Sequence, residues 1–305
     1  MIRKSIYFIL IFIALLFITC NKKEVKNEET ILKGTARILV DETLTPIIED
    51  QVAVFESYYE AKIQLESKSE AEVINSLTNK KSGIAILTRS LTTDEMNIFE
   101  QKKIKPRITP FAVDAVAFIS NKNNNDTLIA LKEVIAFMQG KSNTTIKGLV
   151  FDNPNSSTVR YMNALAGTKS IPEKGAYSFK TNDEVIQFVA KNDGMIGVVG
   201  VNWLTQPSAE MQDIVDKVNV LGVRNLKNSN YYTPSQNNIA EGKYPLARDL
   251  YIINCQGYSG LGMGFASFVA GDIGQRIILK SGLLPIRIPG RRIKIRNEII
   301  NDKNK

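Results

Sequence analysis

Histidine is absent from the 305 residues of this sequence, which also contains only two cysteines and a single tryptophan. Without histidine, Ser-His and Cys-His nucleophilic pairs are excluded, and so are most transition-metal sites. The sequence has no P-loop, no G-x-S-x-G motif and no cluster of cysteines. Its 31 acidic residues would supply a two-carboxylate hydrolase by number, but no spacing among them indicates one. We therefore expect a protein that is not an enzyme and that needs neither a metal nor another cofactor.

The amino terminus has the pattern of an export signal. Arg3 and Lys4 precede an apolar run from Ile6 to Ile18. At about 1.5 Å per residue this run spans roughly 20 Å as a helix, which is shorter than the ~30 Å hydrocarbon core of a membrane. A run of this length behind two positive charges is typical of a secretory signal peptide, which we place at residues 1–19.

Cys20 stands where the apolar run gives way abruptly to polar residues. A cysteine at this switch is typical of the lipid-modified residue of a bacterial lipoprotein, followed by a solvated tether at residues 20–33. Thr19 and Phe17 depart from the usual lipoprotein pattern, so an ordinary secretory signal that happens to contain a cysteine stays open. If Cys20 carries lipid, Cys255 is the only thiol that remains, and no internal disulfide can form.

Composition and charge describe a soluble globule that favours anions. Hydrophobic residues make up 44% and charged residues 23% of the chain, and the roughly 270 residues after the leader are enough for two lobes with cores of their own. The formal net charge of +8 favours anionic ligands through electrostatic steering. Much of the positive charge lies near the carboxyl end, where we expect a solvated helix or tail. No aromatic residues interleave a basic stripe, so a nucleic-acid partner is not expected.

Strand-like and helix-like patterns alternate from residue 34 onward. Strands are predicted at residues 35–40, 62–65 and 83–87. One helix is predicted to begin at Pro46 and another after Ser69, with Glu72 completing a capping box. Strands and helices in this order predict a parallel sheet with right-handed crossovers, in which ligands gather at the carboxyl ends of the strands.

A second series of elements follows the first. Further strands are predicted at residues 112–119, 148–151, 195–200 and 244–253. Further helices are predicted at residues 128–139 and 264–279. The sequence shows no internal repeat, and the tether is its only low-complexity segment.

The segment that begins at Asn155 carries the residues best suited to bind an anion. Asn155 or Ser156 can cap a helix whose first turn has unpaired N–H groups and a partial positive charge. The hydroxyls of Ser156, Ser157 and Thr158 cluster there. Arg160 can reach back to the same point, because helical side chains tilt toward the helix N-terminus. Donors without acceptors, together with one cation, predict an oxyanion site, and an ordinary helix cap remains the alternative.

Several short motifs occur in an order that matches one family of binding proteins. They are Thr43 with Pro46 behind it, Ile86 to Leu91, Val113 to Ala117, Ser156-Ser157-Thr158, Ile196 to Gly200, Gly242 to Arg248, Gly274-Gln275 and Gly282-Leu283. No single motif is specific, but their joint order over most of the chain is. Over nearly all of residues 35–292 the chain resembles the periplasmic phosphate-binding proteins of ABC transporters (PstS-like, type II solute-binding proteins), in a lipoprotein form.

The resemblance implies a two-lobed α/β fold of the type II periplasmic-binding-protein class. Each lobe would hold a mostly parallel sheet flanked by helices, and two strands crossing between the lobes would form the hinge. Lobe I would comprise residues 34–112 plus 235–296 and lobe II residues 113–234, with a tail at 297–305. The family also implies an ABC permease and an ATPase as partners. We expect an extracytoplasmic monomer anchored to a membrane through Cys20.

The resemblance further implies a tetrahedral oxyanion held between the lobes. The ligand-binding residues would be Thr43, Ser69, Thr88, Arg89, Ser156, Ser157, Thr158 and Arg160. The chain departs from the family pattern, since Ser157 replaces a glycine and Asp152 replaces an arginine that pairs with phosphate. Arg89 stands where some members have an aspartate that accepts the phosphate proton. Because Asp152 would repel the ligand, we expect Arg160 or Arg89 to supply the cation.

A carboxylate in the site would select phosphate over sulfate, because monohydrogen phosphate can donate a proton and sulfate cannot. Glu42 or Asp114 could take that role, although Asp114 is equally well explained as a buried hinge acid bonded to backbone. The leading hypothesis is capture of inorganic phosphate for an ABC transporter. Two alternatives stay open: the same fold binding or sensing another oxyanion or small ligand, and a structural or adhesive surface lipoprotein without ligand binding.

Overall fold

The structure is a computed structural model that describes residues 29–79, 82–141, 146–226 and 229–290. The predicted signal peptide, Cys20 and the basic carboxyl-terminal tail lie outside these ranges, so the expectations for them stay predictions. None of the helices in the described ranges is both long enough and apolar enough to cross a membrane.

Short strands and helices alternate along the described chain. The strands are β1 Lys33–Asp41, β2 Glu60–Lys68, β3 Ile84–Leu87, β4 Arg107–Asn121, β5 Leu128–Ala130, β6 Gly148–Phe151, β7 Ala176–Ser178, β8 Met195–Gly200, β9 Val218–Val220, β10 Gly222–Arg224, β11 Tyr231–Tyr232, β12 Ala247–Asn254 and β13 Leu284–Pro285. The helices are α1 Thr45–Tyr58, α2 Glu70–Thr78, α3 Thr93–Gln101, α4 Leu131–Met138, α5 Ser157–Ala166, α6 Asn182–Lys191, α7 Asn202–Thr205, α8 Gln212–Val215, α9 Gln236–Ala240, α10 Leu261–Ala270 and α11 Asp272–Lys280. A 3-10 turn, Glu42–Leu44, connects β1 to α1.

A first half-sheet has the strand order β2-β1-β3-β12-β4. Strand β1 runs parallel to β2 and β3, whereas β12 is antiparallel to β3 and β4. The residues Ile38, Leu39 and Val40 of β1 are all fully buried. A continuous apolar run of this kind is typical of a parallel strand covered on both faces, and it confirms the prediction of a strand at residues 35–40.

A second half-sheet has the strand order β4-β8-β6-β7, with β9 also paired to β4. Strand β6 runs parallel to β7 and β8, and β8 is antiparallel to β4. The strands predicted at residues 148–151 and 195–200 have these same bounds in the structure. Both half-sheets thus consist of parallel strands bordered by antiparallel ones.

Strand β4 belongs to both half-sheets and joins them. Residues 107–115 pair with β12, and residues 116–120 pair with β8. The N–H of Val116 donates to the carbonyl of Leu246 at 2.9 Å, so the segment entering β12 crosses beside β4. The boundary between lobes predicted from the sequence falls inside this strand.

Helix α1 shows how the core is built. It begins with a proline in its first turn, as predicted, because proline lacks the N–H that the first turn leaves unpaired anyway. The helix buries Ile47, Ile48, Val52 and Phe55 on one face. The ring of Phe55 meets two aromatic rings of α10 edge to face, with centroid distances of 5.4 and 5.3 Å. The apolar face of the helix therefore closes one side of the first half-sheet.

Three element predictions need correction. The helix predicted at residues 128–139 is strand β5 followed by α4, because Leu128–Ala130 pairs with the distant strand β10. The helix predicted at residues 264–279 is two helices, separated at Gly271 by extended backbone (φ −81°, ψ 176°). The strand predicted from residue 244 begins only at Ala247. In the last case, the side chain of Tyr244 is buried and its hydroxyl donates to the carbonyl of Val116 at 2.7 Å.

Candidate anion-binding site

The carboxyl ends of parallel strands from the two half-sheets face each other, and we name this region the junction. Asp41 ends β1, Thr88 follows β3 and Asp152 follows β6. The N-terminus of α5 lies opposite the turn after β1, where the Oγ of Ser157 and the Oγ1 of Thr43 are 3.1 Å apart. Ligands of open α/β sheets bind at this edge, so the junction is the first candidate for a site.

The turn after β1 is held by a buried aspartate. Oδ1 of Asp41 accepts hydrogen bonds from the N–H of Thr43 at 3.2 Å and from its hydroxyl at 3.1 Å. Oδ2 of Asp41, although buried, has no hydrogen-bond partner among the described residues. The Thr43 hydroxyl is thereby positioned at the junction, between an aspartate of its own turn and a serine of α5.

Helix α5 begins where the sequence predicted, and Ser156, one of the two candidate residues, is its N-cap. The Oγ of Ser156 accepts from the N–H of Val159 at 3.1 Å, and its hydroxyl donates to Oδ1 of Asp152 at 2.5 Å. Ser157 and Thr158 are fully buried in the first turn. The Oγ1 of Thr158 finds no hydrogen-bond partner within the part of the chain that the structure describes. A helix start with a buried, unused hydroxyl is suited to receive an oxygen-rich anion.

Arg248 of β12 brings a guanidinium to the junction, and sequence reasoning missed it. Its Nη2 donates to Oδ2 of Asp114 at 2.6 Å, and its Nη1 donates to the Oγ of Ser157 at 3.3 Å. Both members of this ion pair are buried. The Nε of Arg248 has no partner in the described residues. The motif from residue 242 to Arg248 is visible in the sequence, but its neighbouring residues do not indicate where the arginine lies in the fold.

The two predicted cations lie in a second, more exposed layer. Glu70 accepts from the Nε of Arg160 at 2.6 Å and from the Nε of Arg89 at 2.8 Å. Arg89 also donates both of its Nη groups to Glu95, each at 2.8 Å. The Nη2 of Arg160 lies 3.5 Å from the Oγ1 of Thr88. These residues border an open groove of about 600 Å³, so both guanidinium groups are held at the mouth of the junction by carboxylates.

Ser69 lies in the same region, but its hydroxyl already has a partner. It donates to Oε2 of Glu72 at 2.6 Å, and the N–H of Ser69 donates to the same atom at 3.2 Å. The predicted capping box at the start of α2 is therefore confirmed. The structure thus gathers the other predicted hydroxyls at the junction and gives Ser69 a visible role as a helix cap.

Two carboxyl groups at the junction share one amide. The Nδ2 of Asn182, at the start of α6, donates to Oε2 of Glu42 at 2.8 Å and to Oδ2 of Asp152 at 3.3 Å. The Oδ1 of Asn182 accepts from the N–H of Gly200 at 3.2 Å. Asn182 carried no signal in the sequence, because it looks like any polar residue at the start of a helix.

Burial raises the pKa of all three carboxyl groups around this amide and the β1 turn. Burial, reinforced by the charge of Glu70, raises the pKa of Asp41 to about 6. Burial, reinforced by Asp152, raises the pKa of Glu42 to about 8. Burial also raises the pKa of Asp152 to about 7, although the hydrogen bond from Ser156 opposes the shift. Each group therefore holds a proton more readily than a free carboxyl does.

Trp203 ties the two half-sheets together. Its ring N–H, in α7 after β8, donates to the carbonyl of Thr43 at 3.1 Å. The N–H of Ala71 donates to the carbonyl of Asn155 at 3.3 Å, which is a second contact between the half-sheets. The structure therefore describes the junction in a closed arrangement.

Within the described residues, no group of three or more Cys, Asp or Glu side chains is arranged to hold an ion. Cys255 is a buried free thiol, and its burial raises its pKa to about 12, so it stays protonated. The chemistry available at the junction is hydrogen bonding to an anion by hydroxyls, a helix start and guanidinium groups.

Comparisons with known proteins indicate the family and the fold. A family model for a PBP superfamily domain matches residues 26–272. The chain is 25% identical over 296 residues to the phosphate-binding protein PstS of Borreliella burgdorferi, with 92% of this chain and 98% of that protein covered. A substrate-binding protein of Clostridium perfringens, solved with bound phosphate, superposes with a TM-score of 0.69 at 16% identity, covering 83% of this chain and 100% of the other. An ABC-type phosphate transport receptor of Vibrio cholerae gives a TM-score of 0.62 at 17% identity, with the same coverage of 83% and 100%. At these identities the two structures show a shared fold.

Proposed function

We propose, from the premise that this chain belongs to the PBP superfamily, that it captures inorganic phosphate outside the cytoplasm for an ABC transporter. One relative that covers 92% of this chain, and two that cover 75% of it, are named as phosphate-binding proteins. The superfamily membership gives the class of function, and the junction gives the reason to assign an anion to this chain.

One observation carries the proposal. Arg248, with an Nε that has no partner in the described chain, lies 3.3 Å through its Nη1 from Ser157, at the start of a helix whose Thr158 hydroxyl is also unused. A buried guanidinium and a helix N-terminus both require a negative or oxygen-rich partner to satisfy them. A tetrahedral oxyanion placed there would accept hydrogen bonds from both.

The proposed ligand set extends the one predicted from the sequence. Thr43, Thr88, Ser156, Ser157 and Thr158 contribute hydroxyls or helix N–H groups, and Arg248 joins Arg89 and Arg160 as a cation. In this proposal Arg248 is the inner cation, while Arg89 and Arg160 close the mouth of the site together with Glu70. Ser69 acts mainly by holding the start of α2.

The proposed lobes follow the half-sheets. Lobe I comprises residues 34–112 plus 235–296 and lobe II residues 113–234, with β4 and the segment entering β12 as the crossing strands of the hinge. The protein would act as a monomer, deliver its ligand to an ABC permease and ATPase, and be anchored through lipid on Cys20.

Calorimetric titration of the purified protein with phosphate at neutral pH, with sulfate as the control, tests the proposal. We expect saturable 1:1 binding of phosphate with a micromolar or smaller dissociation constant, which corresponds to about −8 kcal/mol. Binding of sulfate in preference to phosphate would favour the alternative of another oxyanion. Binding of neither ion would contradict phosphate capture and favour a structural lipoprotein.

A further inference from the structure

The charges at the junction do not balance once its ion pairs are assigned. At the mouth, Glu70 and Glu95 pair with Arg89 and Arg160. In the interior, Asp114 pairs with Arg248, which is the only buried cation among the described residues. Three further carboxyl groups, Asp41, Glu42 and Asp152, remain without a cation of their own, and we name these the inner carboxyls.

The oxygens of the inner carboxyls have few hydrogen-bond donors around them and can therefore hold protons. Asp41 keeps one oxygen without a partner in the described part of the chain. Each oxygen of Glu42 accepts one hydrogen bond, and both come from Asn182. Each oxygen of Asp152 also accepts one, from Ser156 and from the side chain of Asn182. A buried carboxylate without a cation or a full set of donors is costly, and two such groups close together tend to share a proton.

A dianion bound against Ser157 would add to this excess of negative charge. Asp152 is one hydrogen bond from the helix cap Ser156, and Asp41 is one hydrogen bond from Thr43, which contacts Ser157. Ionised inner carboxyls would therefore stand within one side chain of the phosphate oxygens. Like charges at this separation in a dry site oppose binding strongly.

We infer that phosphate binds together with protons held on the inner carboxyls, so that Asp41, Glu42 and Asp152 act as neutral groups or hydrogen-bond donors in the bound state. The inference rests on the proposed function and adds a requirement to it. A carboxyl in this site donates a proton toward the ligand, whereas the resemblance had implied a carboxylate that accepts one from it.

The charged groups that face the inner carboxyls come from every element around them. Asp41 faces Glu70 of α2 and Arg248 of β12, and Glu42 faces Asp152 and Asp41. Asp152 faces Asp41 and Arg248. Because these interactions are mutual, Asp41 also faces Glu42 and Asp152, and Asp152 also faces Glu42. Each inner carboxyl therefore faces at least two other carboxyls and at most one guanidinium, that of Arg248. The raised pKa values of Asp41, Glu42 and Asp152 agree with this arrangement.

The inference predicts proton uptake that depends on named residues. Phosphate binding would be measured by calorimetry between about pH 5.5 and 8.5, in pairs of buffers with different ionisation enthalpies, for the wild type and for Glu42→Gln/Asp152→Asn. The titration of phosphate itself affects both proteins equally, so its effect on the dissociation constant cancels when the two proteins are compared. We expect the rise in dissociation constant between about pH 6 and pH 8 to be at least about tenfold larger in the wild type, because each coupled proton contributes up to tenfold per pH unit.

Two further measurements keep the test independent of one variant. Asp272→Asn, at the start of α11 and away from the junction, should take up as many protons as the wild type. Infrared difference spectra of the wild type at about pH 8, with and without phosphate, should show the C=O stretch of protonated carboxyls gaining intensity on binding. Equal proton uptake by wild type and double variant, or no such infrared band, would overturn the inference while leaving phosphate capture intact. Failure of the wild type to bind phosphate anywhere in this pH range would overturn the proposed function as well.

Discussion

Arg248 and Asp114 occupy directly opposed positions in the antiparallel pairing of β12 with β4. That register explains why a guanidinium reaches the inside of the junction, and it also explains why the sequence alone did not reveal it. The two residues are 134 positions apart along the chain, and only the pairing of the crossing strands brings their side chains to 2.6 Å. A residue whose neighbours are set by strand register has no local signal in the sequence.

Replacing Arg248 should remove the inner cation of the site. Losing one charged contact to a buried anion costs about 2–5 kcal/mol, so Arg248→Met should raise the phosphate dissociation constant by at least about 30-fold. Because the single change leaves Asp114 buried without a partner, Arg248→Met/Asp114→Asn should be measured beside it. Arg276→Met, which loses a surface pair with Asp272, is the matched control and should bind as the wild type does. Unchanged affinity in the double variant would remove Arg248 from the site.

The inner carboxyls also predict how stability depends on pH in the absence of ligand. Their folded pKa values of about 6, 8 and 7 lie above the ordinary values of about 3.9 for Asp and 4.3 for Glu. The folded protein therefore holds protons that the unfolded chain releases. The resulting stabilisation of the folded state is complete below about pH 4 and is lost as pH rises through about 6 to 8. The pKa of Glu95 is instead lowered despite its burial, because its carboxylate accepts a hydrogen bond from Arg89. The contribution of Glu95 to the free energy of unfolding is therefore lost only in more acidic solution.

Urea unfolding at about pH 5 and pH 8 measures this dependence. The free energy of unfolding should be lower at the higher pH, by at least about 1 kcal/mol. Asp152→Asn should reduce the difference, because an amide does not titrate. A free energy that is flat or rises over this range would show that the inner carboxyls are ionised at both ends of it.

At the scale of elements, the start of α5 is the part of the site that the sequence described best. Its hydroxyls are local, and an N-cap followed by an apolar face is a pattern that the neighbouring residues largely determine. Ser157→Ala should weaken phosphate binding only modestly, since the backbone N–H groups remain. Ser157→Ala/Thr158→Val should cost about 1–3 kcal/mol, measured as the change in dissociation constant. Ser170→Ala, outside the junction, serves as the control, and unchanged affinity in the double variant would place the anion elsewhere.

The elements predicted well are those whose pattern is set by their own residues. The strands at residues 148–151 and 195–200 are short apolar runs, buried throughout in the first and over the last four residues in the second, and the structure confirms them. The segment at residues 128–130 was wrongly predicted to be helical, because its pairing with β10 is a tertiary contact that outweighs local helix propensity. The helix predicted through Gly271 breaks there, since glycine is a poor residue for a helix interior.

At the scale of the whole molecule, the prediction of a two-lobed type II binding-protein fold is confirmed by the strand order and by the structures that share it. The order of motifs over most of the chain was sufficient to predict the fold class. Each half of the fold has the same succession of parallel strands and antiparallel crossings. The same order does not specify the ligand, since the side chains at strand ends vary independently of the fold. Asp152, which the resemblance places where the family has an arginine, would be an example of that independence.

The lipid anchor is tested at the same scale. If Cys20 is lipid-modified, Cys20→Ala should move the protein from the membrane fraction to the soluble fraction. Mass spectrometry of the wild-type amino terminus should show the corresponding added mass. Cys255→Ala is the matched control, because that thiol is buried in the core and should leave fractionation unchanged. An unmodified wild-type terminus, with equal membrane association in the Cys20 variant, would contradict the anchor.

The closed arrangement of the junction makes a last prediction about the molecule in solution. Thr43 contacts Ser157 and accepts from the ring of Trp203, and Glu70 holds Arg160 across the same gap. Without an anion to bridge the lobes, only these few contacts hold the junction closed, so the free protein should open by a hinge motion. Solution scattering should then give a smaller radius of gyration with saturating phosphate than without it. Because Trp203 is the only tryptophan in the chain, its fluorescence should change with the same phosphate dependence. An identical radius and spectrum in both states, in a protein that calorimetry shows to be fully bound, would mean that the lobes are already closed and that phosphate enters without hinge motion.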